Sequence, residues 1–364
     1  MLTSWISHLF GRPLRTDEEV MFFPTTARYL TADAVELGVE AWVYEKERRP
    51  GIAAVFRRYL RLDPATLTPE ENAAFLERVR LFLTDSEGGK LVPITVTTPL
   101  TDEPRSLGLP VTPPSGRTSA RLNIPAPLQA DAEWIAFEAR GPSKTFRGRA
   151  LLVPEEGVSV VSDIDDTIKH THVLDRREML LNTFTRPFAA VPGMADLYRR
   201  THGISGTNTR FHYVSGGPHQ LWPMIERFLQ DEAYPDGSVH MRSINWRVEV
   251  FGESMGTLGH KLTTIAGLIR DFPRRRFVLV GDSGERDPEI YGQIAREFPT
   301  QVAGVHIRDV TGEPRDGLRY TEAFRGVPAG LWSLFTEPET VDLATAALAE
   351  LTPLPLSTTP QPGG

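Results

Sequence analysis

The sequence predicts a two-part α/β chain: a β-rich, sandwich-like unit with inserted helices over residues 19–153, then a parallel sheet covered by helices over residues 154–350. Three observations predict it. Short runs with strand-like alternation fill the first part. In the second, nearly continuous apolar strands alternate with helical patterns, as in a parallel sheet buried on both faces. The 364 residues are enough for two domains.

The elements follow in order. Gly38 to Glu45 (GVEAWVYE) reads as a strand with Val39, Ala41 and Val43 on one side. Ile52, Val55, Phe56, Tyr59 and Leu60 fall at helical spacing. Thr68-Pro69-Glu70-Glu71 supplies a helix N-cap, a first-turn proline and a capping-box glutamate. Arg80 to Thr84 and Leu91 to Val96 flank Ser86-Glu87-Gly88-Gly89, which predicts a hairpin. Ser119 to Ile124, Glu133 to Ala139 and Phe146 to Val153 read as extended.

From Gly157 the texture changes. Strands are predicted at Val158 to Val161, Phe211 to Val214, Val248 to Phe251, Phe277 to Val280 and Val302 to Ile307. Helices are predicted between them at Met194 to Arg200, Gln220 to Leu229, Leu262 to Phe272 and Glu289 to Phe298. Residues 351–364, rich in proline, threonine and glycine, read as a disordered tail.

Composition narrows the function classes. At 40% hydrophobic and 24% charged, the chain is an ordinary soluble one with enough apolar residues for a packed core. A net charge of −7 gives no global reason to expect nucleic-acid binding, since polyanion binders carry a basic balance or face. The absence of cysteine excludes disulfides, thiolate chemistry and Cys-built zinc sites, and fits a reducing, cytoplasmic setting. No stretch approaches the ~18 apolar residues of a membrane span. Residues 1–15 lack the charged leader, apolar run and cleavage site of a secretory signal. Within the segment 1–18, Trp5, Ile6, Leu9 and Phe10 fall at helical spacing, as in a terminal helix packed on the domain or a short interfacial anchor.

Ligands of open parallel sheets bind beyond the carboxyl ends of the strands. The residues just after each predicted strand are therefore the candidates. They are Ser162-Asp163-Ile164-Asp165-Asp166-Thr167, then Ser215-Gly216-Gly217-Pro218, then Gly281-Asp282-Ser283-Gly284-Glu285-Arg286-Asp287. Lys261 opens the helix predicted between the third and fourth strands. A carboxylate can attack phosphorus and hold the phosphoryl group as an acyl phosphate. Carboxylate and phosphate repel each other, so a divalent cation is needed; magnesium takes oxygen ligands and commonly one or two carboxylates. A second carboxylate two residues on can protonate the leaving alkoxide and then activate water. Ser215 and the backbone N–H groups after Pro218 can bind phosphate oxygens, and a lysine can neutralise the transferring group.

In this order, Asp163, Asp165 and Thr167 (DxDxT), Ser215, Lys261 and the Asp282/Asp287 pair resemble the four motifs of the haloacid dehalogenase superfamily. SDIDDTIKHT, FHYVSGGPHQLWP and GDSGERDPEIY resemble the actin-patch-type, lipin-related phosphatidate phosphatases, as do GVEAWVYE and RLFLTDSEGGK in the preceding unit. The resemblance implies a Rossmann-like catalytic domain that hydrolyses phosphatidate to diacylglycerol and phosphate with Mg2+. It implies Asp163 as nucleophile and metal ligand, and Asp165 as general acid/base with its backbone carbonyl on the metal. Asp282 would be a metal ligand, and Asp287 would hold a metal-bound water or Lys261. Thr167, Ser215, Gly216 and Lys261 would bind the phosphoryl group. Residues 169–188 would form a flap, and a lipid substrate implies transient contact with a membrane surface. Asp166 stands where many relatives carry glycine and receives no role.

Blander readings compete for several residues. Asp-rich strand ends are common as caps and turns, but DIDDT follows VSVV with the other motifs in order. His170 and His172 are expected as solvated flap histidines. Arg274-Arg275-Arg276 reads as a solvated turn. GESMGTLGHK lacks the GxxxxGK[ST] spacing of a nucleotide loop. His219, Gln220 and Trp222 are placed either to touch substrate or to pack. Two rival functions stand beside the lipid phosphatase: a phosphatase of soluble or protein phosphomonoesters, and a non-catalytic phospholipid-binding module. Asp165 disfavours the module, because binding alone needs no proton donor.

Overall fold

The computed structural model describes residues 11–46, 52–97, 106–125, 132–204, 208–243 and 255–343. The helix expected around Trp5 to Phe10, the strand expected at Val248 to Phe251 and the tail expected at 351–364 lie outside the described residues.

The first sheet contains β1 (Glu18–Phe23), β2 (Thr25–Thr31), β3 (Ala34–Glu45), β4 (Asp85–Ser86), β5 (Pro93–Val96), β6 (Ser106–Gly108), β7 (Arg117–Pro125), β8 (Trp134–Arg140) and β9 (Thr145–Val153). Helices α1 (Ile52–Tyr59) and α2 (Pro69–Val79) lie between β3 and β4. The strands run in the order β1-β3-β2-β9-β8-β5-β6, with β4 and β7 also paired to β3. Every pairing is antiparallel except β2 with β9. The long β3 organises the sheet: one edge takes β2 and then β1, and the other takes β7 from Ala34↔Pro125 to Trp42↔Arg117. Its odd positions Val35, Leu37, Val39, Ala41 and Val43 are buried in the core of this sheet. Trp42 and Tyr44 face the other way and are buried too, in a core shared with the second sheet. A strand end apolar on both faces is what lets one sheet join two cores.

Thr68 caps α2 as expected: Glu71 N–H donates to Thr68 Oγ1 (3.2 Å) and Thr68 N–H to Glu71 Oε2 (2.9 Å). The hairpin expected around residues 86–89 does not form. Arg80–Leu83 is a 3-10 turn that continues α2, and β5 pairs with β8 and β6 instead. The physical reason is burial. Phe82 packs 5.5 Å from Phe56 and 5.6 Å from Phe184, ring centre to ring centre, contacts that an extended chain on this sheet would forgo.

The second sheet is β10 (Gly157–Ser162), β11 (Arg210–Pro218), β12 (Gly237–Arg242), β13 (Arg275–Asp282), β14 (Val302–Arg308) and β15 (Trp332–Phe335). Its order is β12-β11-β10-β13-β14-β15, with every pair parallel. Its helices are α3 (Arg176–Phe184), α4 (Met194–His202), α5 (Trp222–Asp231), α6 (Met255–Asp271), α7 (Asp287–Glu297) and α8 (Leu318–Ala323). All six residues of β10 are buried, as a central parallel strand requires. The chain goes from β10 to β11 and β12 on one side, then crosses to β13 on the other. That reversal leaves a crevice at the carboxyl end of β10. Among the described residues, no helix is long and apolar enough to cross a membrane.

Arg275 corrects the reading of the arginine run as a solvated turn. It is fully buried and donates to Ser159 Oγ (2.9 Å) and to the carbonyls of Pro154 (2.9 Å), Glu156 (2.8 Å) and Asn208 (2.7 Å), and also to that of Val158. A guanidinium fork can satisfy several strand-start carbonyls at once. Arg274 behaves as expected, exposed and paired with Glu155 and Glu156.

Candidate active site

The crevice at the end of β10 collects groups from four segments. Asp163 follows β10 directly, and its N–H donates to Val280 O (2.9 Å), which fixes the strand end against β13. Its side chain is fully buried. Thr167 Oγ1 donates to Asp163 Oδ2 at 3.2 Å. Asp282 closes β13. Its Oδ1 accepts from Gly284 N (2.6 Å) and Glu285 N (3.1 Å), while its buried Oδ2 receives no hydrogen bond among the described residues. Asp287 opens α7; its Oδ2 accepts from Asp282 N at 3.3 Å.

Lys261 ties these groups together. It stands in the second turn of α6, and its Nζ lies 2.7 Å from Asp163 Oδ1, 2.7 Å from Asp287 Oδ1 and 2.8 Å from Glu285 Oε2. Carboxylate oxygens of Asp163, Asp282 and Glu285 lie within 4.8 Å of one another, a set that could hold a metal ion. Glu285 was not singled out from sequence. The signal for it was a third acidic side chain between Asp282 and Asp287, in a turn short enough to fold back.

The electrostatics follow from one buried lysine among four carboxylates. Burial pushes the Asp163 carboxyl up; Lys261 opposes this, while Asp287, Glu285 and Asp282 reinforce it, and the result is well above the usual range. Asp282 is raised well above its usual value by burial, then by Asp287. Glu285 is raised by burial, with Lys261 opposing. Burial alone would lower the Lys261 ammonium, but Asp163, Asp287 and Glu285 hold it well above its usual value, so it stays charged.

Asp165 sits beside this cluster and is about a fifth exposed (22%). Lys169 Nζ lies 2.8 Å from its Oδ1, and Thr171 Oγ1 donates to the same oxygen at 2.7 Å. Ser215 Oγ donates to its Oδ2 at 3.2 Å and accepts from Gly217 N at 2.9 Å. Burial pushes the Asp165 carboxyl up, but the charge and hydrogen bonds of Lys169 and Thr171 outweigh it and leave it below the usual range. Gly216 lies half-buried on β11 between Ser215 and the turn into α5.

Asp166, given no role from sequence, holds the backbone of residues 171–173. It adopts a left-handed φ of 54°, and its carboxylate accepts from three successive N–H groups: Thr171 (2.7 Å), His172 (2.9 Å) and Val173 (2.6 Å). Its carbonyl accepts from Arg308 at 2.7 Å. His170 and His172 stack on each other, 5.9 Å between ring centres, outside the carboxylate set. His219 and Trp222 are buried, and His219 packs edge-on to Trp42 at 4.8 Å. Their role is packing between the two sheets. A separate polar cavity of about 470 Å³ between the sheets, lined by Arg28, Glu36, Arg121, His240 and Asp271 among others, contains none of the carboxylate–lysine groups.

Residues 158–309 match the model of a family described as phosphatidate phosphatase APP1, catalytic domain. Phosphatidate phosphatase APP1 of Saccharomyces cerevisiae is 32% identical over 191 residues, 51% of this chain and 30% of that protein. An uncharacterized protein of Schizosaccharomyces pombe is 31% identical over 174 residues, 47% of this chain and 28% of that protein. The matches thus span no more than 30% of the length of these curated relatives. Among solved structures, a sialyltransferase from Photobacterium damsela aligns over 61% of this chain and 38% of that one, with 10% identity and a TM-score of 0.21. The matched segment contains Asp163, Asp165, Ser215, Lys261, Asp282, Glu285 and Asp287, so residues 158–309, which carry every group of the carboxylate–lysine site, are similar to the phosphatidate phosphatase APP1 catalytic domain.

Proposed function

We propose that this chain is a magnesium-dependent phosphatidate phosphatase that works through an aspartyl phosphate. Its catalytic core would be a haloacid-dehalogenase-like, Rossmann-like domain over residues 154–350, preceded by the β-rich, sandwich-like unit of residues 19–153. The observation that carries the reading is Asp163, buried at the central strand end with Lys261 at 2.7 Å and Thr167 at 3.2 Å.

In this reading an oxygen of Asp163 attacks phosphorus, and the bond from phosphorus to the glycerol oxygen breaks. Asp165 gives its proton to the departing alkoxide, so diacylglycerol leaves neutral. Asp165 then takes a proton from the water that attacks the acyl phosphate, which releases phosphate and regenerates Asp163. Its low resting pKa fits the second half of this cycle. The first half needs the proton restored, and a phosphate dianion arriving beside Asp165 raises its affinity for one. Ser215 and Lys261 bind the phosphoryl oxygens, and Lys169 with Thr171 fixes the rotamer of Asp165.

The residues fit a divalent cation. The buried, unpartnered Oδ2 of Asp282 and the raised carboxyls of Asp163, Asp282 and Glu285 describe negative charge that one lysine does not balance. Asp163, Asp282 and the backbone carbonyl of Asp165 would hold magnesium, with Glu285 as a further candidate. Bound there, the ion would cancel the repulsion between carboxylate and phosphate.

Phosphatidate is preferred because the yeast relative is named for it. Since that lipid lies in a bilayer, the protein would work in the cytoplasm with transient contact at a membrane surface. Magnesium-dependent phosphate release from phosphatidate in mixed micelles, lost in Asp163→Asn, is the test. Release from p-nitrophenyl phosphate alone would keep the chemistry and transfer the assignment to soluble or protein phosphomonoesters.

A further inference from the structure

We infer that the flap turn of residues 172–177 and the start of α8 form a docking surface for an anionic lipid bilayer around the mouth of the site. This rests on the phosphatidate reading and names the residues through which the membrane would be reached.

Leu318 (74% exposed) and Leu174 (63%) are the two most exposed large apolar side chains among the described residues. A single exposed leucine is ordinary. These two flank one loop, the loop that carries Asp282 and Glu285. On one side, a Cβ added to Gly284 would stand 2.8 Å from Val173 Cγ2, so the flap turn touches the loop one residue before Leu174. On the other, Arg319 donates to Ser283 O (2.5 Å) and also to Glu285 O, which anchors α8 to the same loop one residue after Leu318.

Leu174 is not presented by a loose chain. The Asp166 carboxylate clamps the N–H groups of Thr171, His172 and Val173, and His172 takes a left-handed φ of 61°. The backbone is therefore held where it turns Leu174 outward. The Asp175 carboxylate then caps α3 through the N–H groups of Arg177 (2.9 Å) and Glu178 (3.1 Å).

The charge of this rim favours an anionic surface. Arg286 pairs with Glu289, Glu313 with Arg319 and Glu178 with Arg186, and Arg315 donates to the carbonyls of Ala329 and Trp332, so the exposed positive charge left over beside Asp175 and Asp316 is that of Arg176 and Arg177, next to Leu174. Arg176 and Arg177 have no acidic ion-pair partner among the described residues. Apolar side chains that enter the acyl boundary, beside arginines at the headgroup level, form the combination that gives reversible binding to anionic membranes. A docked rim would also bring the crevice to the depth of a lipid phosphate.

The test is co-sedimentation of the full chain with vesicles of phosphatidylcholine alone, or with about one-fifth phosphatidylserine. Wild type should sediment with the anionic vesicles and lose binding as salt rises. Leu174→Asp with Leu318→Asp should cut the bound fraction roughly tenfold or more, and Arg176→Gln with Arg177→Gln should weaken it on anionic vesicles only. Magnesium-dependent turnover of p-nitrophenyl phosphate, which needs no surface, should stay within about twofold in the leucine variant, a control for folding. Equal sedimentation of wild type and the leucine variant overturns the proposal. So does concentration-dependent self-association of wild type that the leucine variant abolishes without any vesicle binding. Vesicle binding is read without turnover, so failure of the phosphatase reading shows separately, as absent hydrolysis of any phosphomonoester.

Discussion

The ammonium of Lys261 lies 2.7 Å from both Asp163 Oδ1 and Asp287 Oδ1, so one buried cation joins the end of β10 to the start of α7. It is the only positive charge in a cluster with Asp163, Asp282, Glu285 and Asp287 that the described residues supply within ion-pair reach of Asp163. Removing it leaves buried carboxylates uncompensated. Lys261→Met should therefore cost about 3–5 kcal/mol of stability in metal-free buffer, as breaking a buried ion pair does. Urea denaturation with and without magnesium measures this. An unchanged midpoint in the metal-free protein would contradict the electrostatic account.

Asp163→Asn acts in the opposite direction. It removes one of the crowded carboxylates while keeping shape and volume. Turnover should fall by at least about 10³-fold, because an amide is no phosphoryl acceptor. The melting temperature in metal-free buffer should rise, since burial and then the neighbouring Asp287 and Glu285 carboxylates hold the carboxyls of Asp163 and Asp282 above their usual range. Calorimetry beside a phosphate-release assay separates the two effects. A variant that loses activity and also melts earlier would mean that Asp163 holds the fold rather than being strained by it.

Asp166→Ala should loosen the flap. Three backbone N–H groups lose their acceptor, which costs about 1–3 kcal/mol, and Thr171 and Lys169 lose their register on Asp165. Hydrogen exchange at residues 171–173 should accelerate and kcat should fall. Protection at those amides as strong as in wild type would refute the clamp.

Much of the site was legible in the sequence because parallel strands announce themselves as apolar runs and the chemistry follows each run directly. Asp163, Asp282 and Ser215 stand where that rule puts them. Three kinds of residue were not legible. β12 was missed because its buried face carries Ser238 and His240, polar residues made acceptable by a hydrogen-bonded chain: Ser159 to His212 (3.0 Å), His212 to Ser238 (2.8 Å) and Ser238 to His240 (3.0 Å). Arg80–Leu83 was read as a strand because LFL is apolar either way, and only contact with Phe56 and Phe184 decides its form. Asp166 and Glu285 gain their roles from turns that fold back on themselves, which no linear spacing displays.

Arg275 offers a test of the strand-start network. Arg275→Lys keeps the charge but not the fork, so several of the carbonyls at Pro154, Glu156, Val158 and Asn208 lose their donor. Burial already lowers the guanidinium to about 9, so an ammonium there would be more poorly accommodated still. The loss should be about 3 kcal/mol or more by urea denaturation, with Arg275→Lys no better than Arg275→Met. Full rescue by lysine would show that charge, not geometry, is what the site needs.

Several buried histidines are held neutral by burial, which makes stability fall as pH drops. Burial holds His219 down at about 3 and His240 at about 4, against an ordinary value of 6.5, and puts His212 well below it. The folded pKa values are depressed, so the unfolded chain takes up protons first as pH falls. The stability these histidines confer by remaining neutral is present above pH 6.5 and is lost progressively below it, until His240 and His219 titrate in the native state near 4 and 3. Each should contribute a loss of roughly 1 kcal/mol between pH 6.5 and pH 5.5. His219 packs between Trp42 and Phe23, so His219→Gln will lower stability at pH 7.5, yet it should flatten the decline between pH 7 and pH 5. Urea midpoints across that range decide it. A slope in His219→Gln equal to that of wild type would mean that His219 is not the group whose protonation opens the interface between the two sheets.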